Sequence, residues 1–445
     1  MPNSDPYSGY YNRAQHDTDT FLTDVNPGSP CGEYMRRYWQ PFMLASELHD
    51  LPVPVRLLGE DLVVFRDGSD RLGLLHRHCL HRGTSLEFGI IAERGIRCCY
   101  HGWHFDVDGT ILETPGEPPN VRIRDRHCQG AYRVQEAYGL LFAYMGPPEE
   151  TPEFPVYDTF DYPHDNKLVP FNMRLPCSWL QIIENGADPI HNAFLHAIVS
   201  GEQFSSAFKV LPTLDFPQTP IGYLSMATRK VGDHVFVRAS DMILPNVGQF
   251  PNGANTADQE SFGVRPYLTR WAVPLDNENS LYIGVAHLND YNNPQGTLQP
   301  DMYGEELIPF IGQTGDRPYK ERQREPGDYD AVVSQGRTAN RRAEHLGTSD
   351  KGVVLIRRLL AQAIKAVADG EKPALPQQTV VAGKVRTYAH ESVVKLPSAD
   401  ALDDANELAE FGRRAALAYV ETENLAPAER EARVAELVRG LLEHA

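Results

Sequence analysis

Cysteine is scarce, with 6 in 445 residues. They are too few and too scattered for a disulfide framework, so the chain reads as one made for a reducing, cytoplasmic compartment. Basic residues are in deficit: Lys and Arg number 42 against 60 Asp and Glu, a net charge of -18. That balance argues against nucleic acid as a ligand. It suits ordinary solubility or a basic redox partner. No run of about 18 apolar residues occurs, so no span of a membrane is expected. Met1 to Asp24 lack the basic-then-apolar order of a signal peptide. No glycine-rich nucleotide fingerprint is visible, which leaves nicotinamide or flavin chemistry to another protein. Repeats of fixed period are absent too. A hydrophobic share of 41% and a charged share of 23% then place the chain among globular proteins, with length for about two domains.

Against that scarcity, Cys and His crowd one stretch. Cys79-Leu80-His81-Arg82-Gly83 is followed by Cys98-Cys99-Tyr100-His101-Gly102-Trp103-His104-Phe105. Each short loop offers one thiolate and one imidazole. The mixture suits a two-iron, two-sulfide cluster with two Cys on one iron and two His on the other. Neutral imidazoles leave such a cluster less negative and raise its potential. A zinc finger of the two-Cys, two-His kind pairs like with like, whereas here each loop is mixed. Chance crowding is the remaining reading, since His76, His78 and His104 lie in the same region. The pattern resembles the Rieske motif. That resemblance makes Cys79, His81, Cys98 and His101 the ligands of a [2Fe-2S] cluster. Cys99 stands where the family usually has proline. The family's spacing to His101 favours Cys98 as ligand and leaves Cys99 as an expected packed thiol.

In chain order, residues 1–26 read as a loosely ordered segment. Ser29-Pro30 with Glu33 predicts a capped helix opening the stretch from Pro27 to Leu48, with Trp39, Phe42 and Met43 as apolar anchors. Residues 55–75 read as strands turning at Asp67-Gly68, and Asp106 to Thr110 as another tight turn. Val134 to Met145 reads as one last strand. Residues 27–155 then form a small β domain, closed by the proline- and acid-rich linker Gly146 to Pro155. A second domain, 156–400, carries strand patterns at 223–228, 234–238, 268–273 and 281–286 and an apolar helix at 350–369. A helical extension, 401–445, breaks at Ala426-Pro427 and is expected to dock on the domain.

A second cluster of metal-type residues opens the second domain: Asn185-x-x-Asp188-Pro189-x-His191-x-x-x-x-His196. Two His and one carboxylate suit a mononuclear iron with open positions. At about 100° per residue, a five-residue step puts His191 and His196 about 140° apart on a regular helix. They share a metal only if the helix is distorted or ends between them, and Pro189 favours a kink. Asp188, one turn before His191, is placed to accept a hydrogen bond from its spare ring nitrogen. Taken alone, two His near a proline are ordinary polar helix residues.

Both motifs together resemble the Rieske non-haem iron ring-hydroxylating oxygenases. The likeness covers roughly residues 25–395, and Arg36-Arg37-Tyr38-Trp39-Gln40-Pro41-Phe42 looks like the phthalate-dioxygenase-like branch, which includes phenoxybenzoate dioxygenase and dehydrodivanillate O-demethylase oxygenases. It implies an α+β chain, with an all-β Rieske domain plus a helix-grip catalytic domain of antiparallel sheet and helices. It implies iron(II) on His191, His196 and a later Asp. Asp328, two turns before Gln335, fits best, with Asp330 as the alternative. It also implies Asp188 as an electron relay between His101 of one subunit and His191 of the next, in a head-to-tail homotrimer or dimer of trimers. Dioxygen is the implied co-substrate, with NAD(P)H electrons from a separate ferredoxin or flavin reductase. The substrate is expected to be an aromatic compound, an aromatic carboxylate by preference. It would be dihydroxylated, hydroxylated or O-demethylated, an outcome the motifs do not separate. Arg229, Lys230 and Arg238 are candidate partners for such a carboxylate, with solvated strand charges as the plainer reading. A Rieske electron carrier or a ligand-binding protein without oxygenase activity would be the other classes.

Overall fold

The computed structural model describes residues 19–118, 120–161, 166–199, 203–290, 315–398 and 400–444. Most of the segment expected to be loosely ordered, residues 1–18, lies outside the described residues. Helix α1 (Pro30–Met35) starts where the capping signals put it, with the Ser29 hydroxyl accepting from the Gly32 amide. It is short. Residues Gln40–Leu44 form strand β1 instead, buried along its length, so Phe42 and Met43 anchor a sheet and not a helix.

The N-terminal unit continues with β2 (Val53–Leu57), β3 (Glu60–Arg66), β4 (Leu72–His76), the short β5 (Ile90–Ile91), β6 (Ile96–Arg97), β7 (His104–Phe105) and β8 (Ile111–Glu113), then β9 (Ala131–Ala137) and β10 (Leu140–Tyr144). The expected single strand from Val134 to Met145 is therefore a hairpin. Tyr138 and Gly139 take φ of 56° and 73°, the paired left-handed geometry that lets a two-residue turn match strand twist. A six-stranded sheet runs β1-β10-β9-β4-β3-β2, and a four-stranded one runs β5-β6-β7-β8. The small sheet has its own core of Leu86, Ile96, Trp103, Phe105 and Ile111, into which Cys79 and Cys98 are packed.

The second unit is built on a ten-stranded antiparallel sheet. Its strands are β11 (Lys167–Leu175), β12 (Thr213–Asp215), β13 (Gln218–Thr219), β14 (Gly222–Val231), β15 (His234–Ile243), β16 (Val247–Phe250), β17 (Ser261–Val264), β18 (Leu268–Pro274), β19 (Ser280–Leu288) and, after the two-stranded pair β20 (Val380–Val381) and β21 (Lys384–Val385), β22 (His390–Lys395). Alternation along the strands sorts its two faces. On one face Tyr223 donates to Gly352 O and Ser225 to Ala187 O. These bonds hold α2 (Trp179–Gly186) and the start of α6 (Lys351–Ala368). Between those helices in sequence lie α3 (His191–Ala193), α4 (Tyr319–Arg324) and α5 (Asp328–Val333). On the other face Thr228 meets Gly412 so closely that a Cβ there would fall 1.9 Å from its hydroxyl. That glycine belongs to α7 (Ala405–Glu421), which is followed by α8 (Pro427–Gly440). The tail is pinned by charge as well: Arg430 of α8 and Arg265 both pair with buried Asp158, at 2.5 and 2.9 Å.

The large core is continuous between the units, running from Phe42 and Phe142 to Trp271 and Ile283. Buried bonds cross with it: Asn246 donates to the Gln40 side chain at 2.8 Å, and the Gly59 amide donates to Leu275 O at 2.9 Å. No helix among the described residues is long and apolar enough to cross a membrane.

Candidate metal centres

The first site is two turns of the same design. The Gly83 amide donates to Cys79 O at 2.8 Å and the Gly102 amide to Cys98 O at 3.0 Å. Both glycines take a left-handed φ, 76° and 75°, which a side chain would strain. Each turn thus places a buried Cys at its start and a half-buried His at its crest. The rings of His81 and His101 are 4.6 Å apart, and Trp103 stacks on His81 at 4.7 Å, parallel within 1°. His81 Nδ1 is buried without a hydrogen-bond partner. An orphaned ring nitrogen beside two packed thiols is the donor set a mixed Cys/His iron–sulfur cluster needs. Burial and the facing Cys98 push the Cys79 thiol up to about 11.

One expectation changes here. Cys98 is buried but Cys99 is exposed, so Cys99 is not a packed thiol: it follows the buried position and points outward. The other histidines of the stretch have structural partners. His78 Nδ1 bonds Gly83 O, and buried His104 Nε2 bonds Arg94 O. A residue outside the motif clamps the first loop. Buried Gln129 accepts from the Leu80 amide and donates to the carbonyls of His76 and His78, at 2.8 to 2.9 Å.

At the second site the interruption between the histidines is a π-helix. His191 begins the three-residue α3, and Phe194–Val199 continues with the wider winding. A five-residue step is close to one turn of an i→i+5 helix, so both imidazoles reach one point, their ring centres 5.3 Å apart. Asp328 comes from far along the chain. Its Oδ1 lies 3.1 Å from His196 Nε2 and 3.6 Å from His191 Nε2. One donor atom from each of the three residues falls within 4.8 Å of the other two.

Asp330 is engaged elsewhere: Arg317, Arg322 and the Gly327 amide all donate to it. Gln335 lies exposed beyond the end of α5 and takes no part. Burial works against the Asp328 charge, but the two imidazoles and the Asn185 amide hold its carboxyl well below the usual range. Burial pushes His191 down. For His196 burial is outweighed by the Asp328 contact, and its pKa rises. The second α2 bond to this region is made by buried Gln181, which donates to the carbonyls of Val332 and Gly336 and accepts from the Ala339 amide.

The spare ring nitrogens are fixed from outside the motif. The Gln203 side-chain oxygen faces His196 Nδ1 at 2.9 Å, and Phe204 stacks on that ring at 4.3 Å. His191 Nδ1 bonds the Asp188 backbone carbonyl. The expected bond to the Asp188 carboxylate is not made; its Oδ2 is 3.8 Å away. The reason is geometric. Helix α2 ends at Gly186 and Asp188 sits in the turn, where its Oδ1 caps the Ile190 amide at 2.8 Å. Within the chain, among the described residues, no hydrogen bond or ring contact joins Asp188 to the cysteine–histidine loops.

The triad opens on a cavity of about 280 Å³, walled by Met173, Ile182, Phe204, Phe250, Leu268 and Val332 among others. Of the three basic residues proposed on strands, only Arg238 lines it. Arg238 is not solvated: it donates to the carbonyls of Asn252 and Pro251 and pairs with Glu391 at 3.4 Å. Arg229 is fully buried outside the cavity, 4.9 Å from the Phe208 ring centre. Lys230 ties the sheet to Ala401 and Asp403 of the tail.

Known proteins resemble this chain over most of its length. The family model for the Rieske [2Fe-2S] domain matches residues 38–133. The oxygenase subunit of tert-butanol monooxygenase / tert-amyl alcohol desaturase from Aquincola tertiaricarbonis is 43% identical over 89% of this chain and 88% of its own length. The chain belongs to the Rieske non-haem iron oxygenases. A second member, the phenoxybenzoate dioxygenase α subunit of Ectopseudomonas oleovorans, is 38% identical over 80% of this chain and 87% of its own. Dicamba monooxygenase shares the fold at 17% identity, with a TM-score of 0.56 over 75% of this chain and 98% of its own. This oxygenase subunit thus has the α+β, two-part architecture expected from its motifs.

Proposed function

We propose that this Rieske oxygenase is the terminal component of a multi-component system that oxidises a small aromatic molecule. A separate ferredoxin or flavin reductase supplies the NAD(P)H electrons. The observation that carries this reading is the two-His, one-carboxylate donor set at the head of an apolar cavity. At about 280 Å³ the cavity is at the small end of ligand sites, which run from about 300 Å³ upward, and it suits a single-ring substrate.

When bound, a Rieske cluster supplies one-electron transfer and a mononuclear iron supplies dioxygen activation. Cys79, His81, Cys98 and His101 would hold the first; His191, His196 and Asp328 would hold the second. The Gln203 oxygen and the Asp188 carbonyl each accept a ring N–H, which turns both Nε2 lone pairs toward Asp328. Asn185 donates to Asp328 Oδ1 at 2.9 Å and sets its orientation. The apolar walls limit water at the reacting face. Asp188 is assigned the coupling between sites, across a subunit boundary in a head-to-tail trimer. Its carboxylate is 30% exposed, and the helical segment that follows it exposes Phe194, Ile198 and Val199, while Leu80 and Tyr100 are exposed within the cluster loops. Two apolar surfaces of this kind favour mutual contact.

One observation favours a second reading of the substrate. The Aquincola relative is named for tertiary alcohols, which are small and not aromatic. Pre-reduced, iron-loaded protein with a surrogate reductase separates the two. Aromatic acids, aryl ethers and tertiary alcohols are offered, oxygen is admitted and products are weighed for added oxygen or a lost methyl. Oxidation confined to tertiary alcohols would replace the aromatic reading. No product and no oxygen uptake from any class would sink the oxygenase proposal.

A further inference from the structure

We propose that Arg270 anchors an anionic group of the substrate, so that the molecule oxidised at this site is a small carboxylate. The inference rests on the oxygenase reading and adds the substrate's charge.

Arg270 lies on β18 and is only 9% exposed, yet its side chain lines the cavity that holds the triad. Its guanidinium carbon sits 4.2 Å from the Phe250 ring centre and 4.5 Å from that of Tyr282. Two aromatic faces stabilise a cation without neutralising it. Burial raises the Tyr282 hydroxyl, and the nearby Arg270 charge works against that rise without being cancelled by it. Its tip presses on the last turn of α2, where a Cβ at Gly186 would fall 2.9 Å from Nη2. The negative end of the α2 dipole adds further partial compensation.

No carboxylate pairs with Arg270 among the described residues, unlike most other deeply buried arginines of the chain. Arg265 and Arg430 share Asp158, Arg36 has Glu60 and Arg238 has Glu391. Arg229 also lacks an acid, but it does not line the cavity; it lies over the Phe208 ring and donates to Val210 O. A buried cation facing an apolar cavity is costly unless an anion reaches it. A guanidinium fork is built to take a carboxylate on two parallel bonds.

The placement suits oxidation of the bound molecule. Asn185 touches Asp328 and its neighbour Gly186 touches Arg270. The anchor and the triad are therefore held by adjacent residues of one helix end. Ile182, Met173, Leu175 and Val332 supply the apolar wall. A ring carrying a carboxylate at one end would present another edge to the triad.

The test uses the iron-loaded protein and pairs of probes that differ only in charge: benzoate, 3- and 4-methoxybenzoate and 4-chlorobenzoate, each against its primary amide. Binding is read by calorimetry without turnover. The parent should prefer at least one acid over its amide. Arg270→Gln should weaken that acid by about 10- to 150-fold, the worth of charge-assisted hydrogen bonds, and leave the amide within about threefold. Arg270→Lys should restore part of the acid preference. Cluster absorption and melting temperature check that each variant is folded; if Arg270→Gln is not, the acid-to-amide ratio in Arg270→Lys decides. Acid and amide bound equally by the parent, equal losses for both in the variant, or no acid bound at all would each overturn the anchor. Failure of the oxygenase reading looks different: acids would bind with the expected preference and no oxygen would be consumed.

Discussion

The cysteine–histidine loops collect their four candidate donors between Cys79 and His101, in two turns closed by their own backbone. The triad draws Asp328 across 132 residues to reach His196. The first arrangement is cheap in loop-closure entropy and is written locally. The second exists only when α2, the π-helix and α5 are packed together. Yet each is locked by one buried glutamine. Gln129 holds the loop backbone at Leu80, His76 and His78, and Gln181 holds the chain around α5 at Val332, Gly336 and Ala339. A locally coded site and a dispersed one can therefore rest on the same device, a side-chain amide that satisfies three backbone groups at once.

The comparison breaks most sharply if each site is destroyed alone. Asp328→Ala should abolish turnover and lower iron from about three per chain to about two, with the cluster spectrum intact, because two imidazoles without a carboxylate hold iron weakly. Asp330→Ala should keep all the iron and lose only some stability, since its partners are Arg317, Arg322 and the Gly327 amide. Iron loss from Asp330→Ala and not from Asp328→Ala would reverse the assignment. In the other region, Cys98→Ser should bleach the Rieske spectrum while Cys99→Ser, altering an exposed thiol, should leave it. Absorption of the purified proteins decides.

What was legible follows the same division. The loops announce themselves because the donor types, their spacing and the closing glycines Gly83 and Gly102 are contiguous. The five-residue step from His191 to His196 required a break in the helix, and the π-helix supplies it. That form of break has no reliable residue signature, so only the need for it was readable. Asp328 was preferred to Asp330 for its two-turn step to Gln335, which lies exposed; what separates the two acids is that Arg317 and Arg322 occupy Asp330. Gln129, Gln181, Gln203 and Arg270 left no trace in a motif. Each is a single polar residue whose meaning is a tertiary partner. Arg270 carried the best available hint, an arginine sharing a strand face with Leu268 while Trp271 and Val273 pack on the other side. The two-residue turn at Tyr138-Gly139 was missed because the apolar text on both sides runs on without a break.

A milder test exchanges the clamps. Gln129→Leu and Gln181→Leu each take the partner from three backbone groups, part-buried at Gln129 and mostly buried at Gln181. Each group left without a partner should cost up to about 1–3 kcal/mol, least where water reaches it, so both variants should melt several degrees lower and Gln181→Leu the more so. The sharper expectation is selectivity. Gln129→Leu should broaden the cluster's electron paramagnetic resonance signal and spare the mononuclear iron. Gln181→Leu should weaken iron retention against a chelator and spare the cluster. Both variants loosening both sites would show that the continuous core couples the regions more strongly than the clamps separate them.

The smallest effect concerns pH, where the regions should respond with opposite sign. In the N-terminal unit, burial disfavours the charges of Asp67 and Asp106. The Gly95, Arg71 and Val107 amides and the guanidinium groups of Arg71 and Arg94 outweigh it and hold both carboxyls below the usual range. Their stabilisation is full above the unfolded value of about 4 and is lost as pH falls through the folded values. In the catalytic sheet, burial pushes Asp241 up to about 7. One of its oxygens has no partner, and the other accepts from the Tyr388 amide at 2.8 Å. Arg265 and Arg430 lower its pKa and Asp158 raises it, but burial prevails. Its contribution is full below about 4 and is lost as pH rises from there through about 7. Asp241→Asn should therefore flatten the decline in catalytic-domain stability between those values and gain most at neutral pH. Asp67→Asn should flatten the loss on acidification. Hydrogen exchange followed separately in the two units from about pH 2.5 to 8 would read both slopes. Parallel slopes in the two units, or an Asp241→Asn variant less stable than the parent at pH 8, would show that the Asp158–Arg265–Arg430 network draws on the Asp241 charge and is not burdened by it.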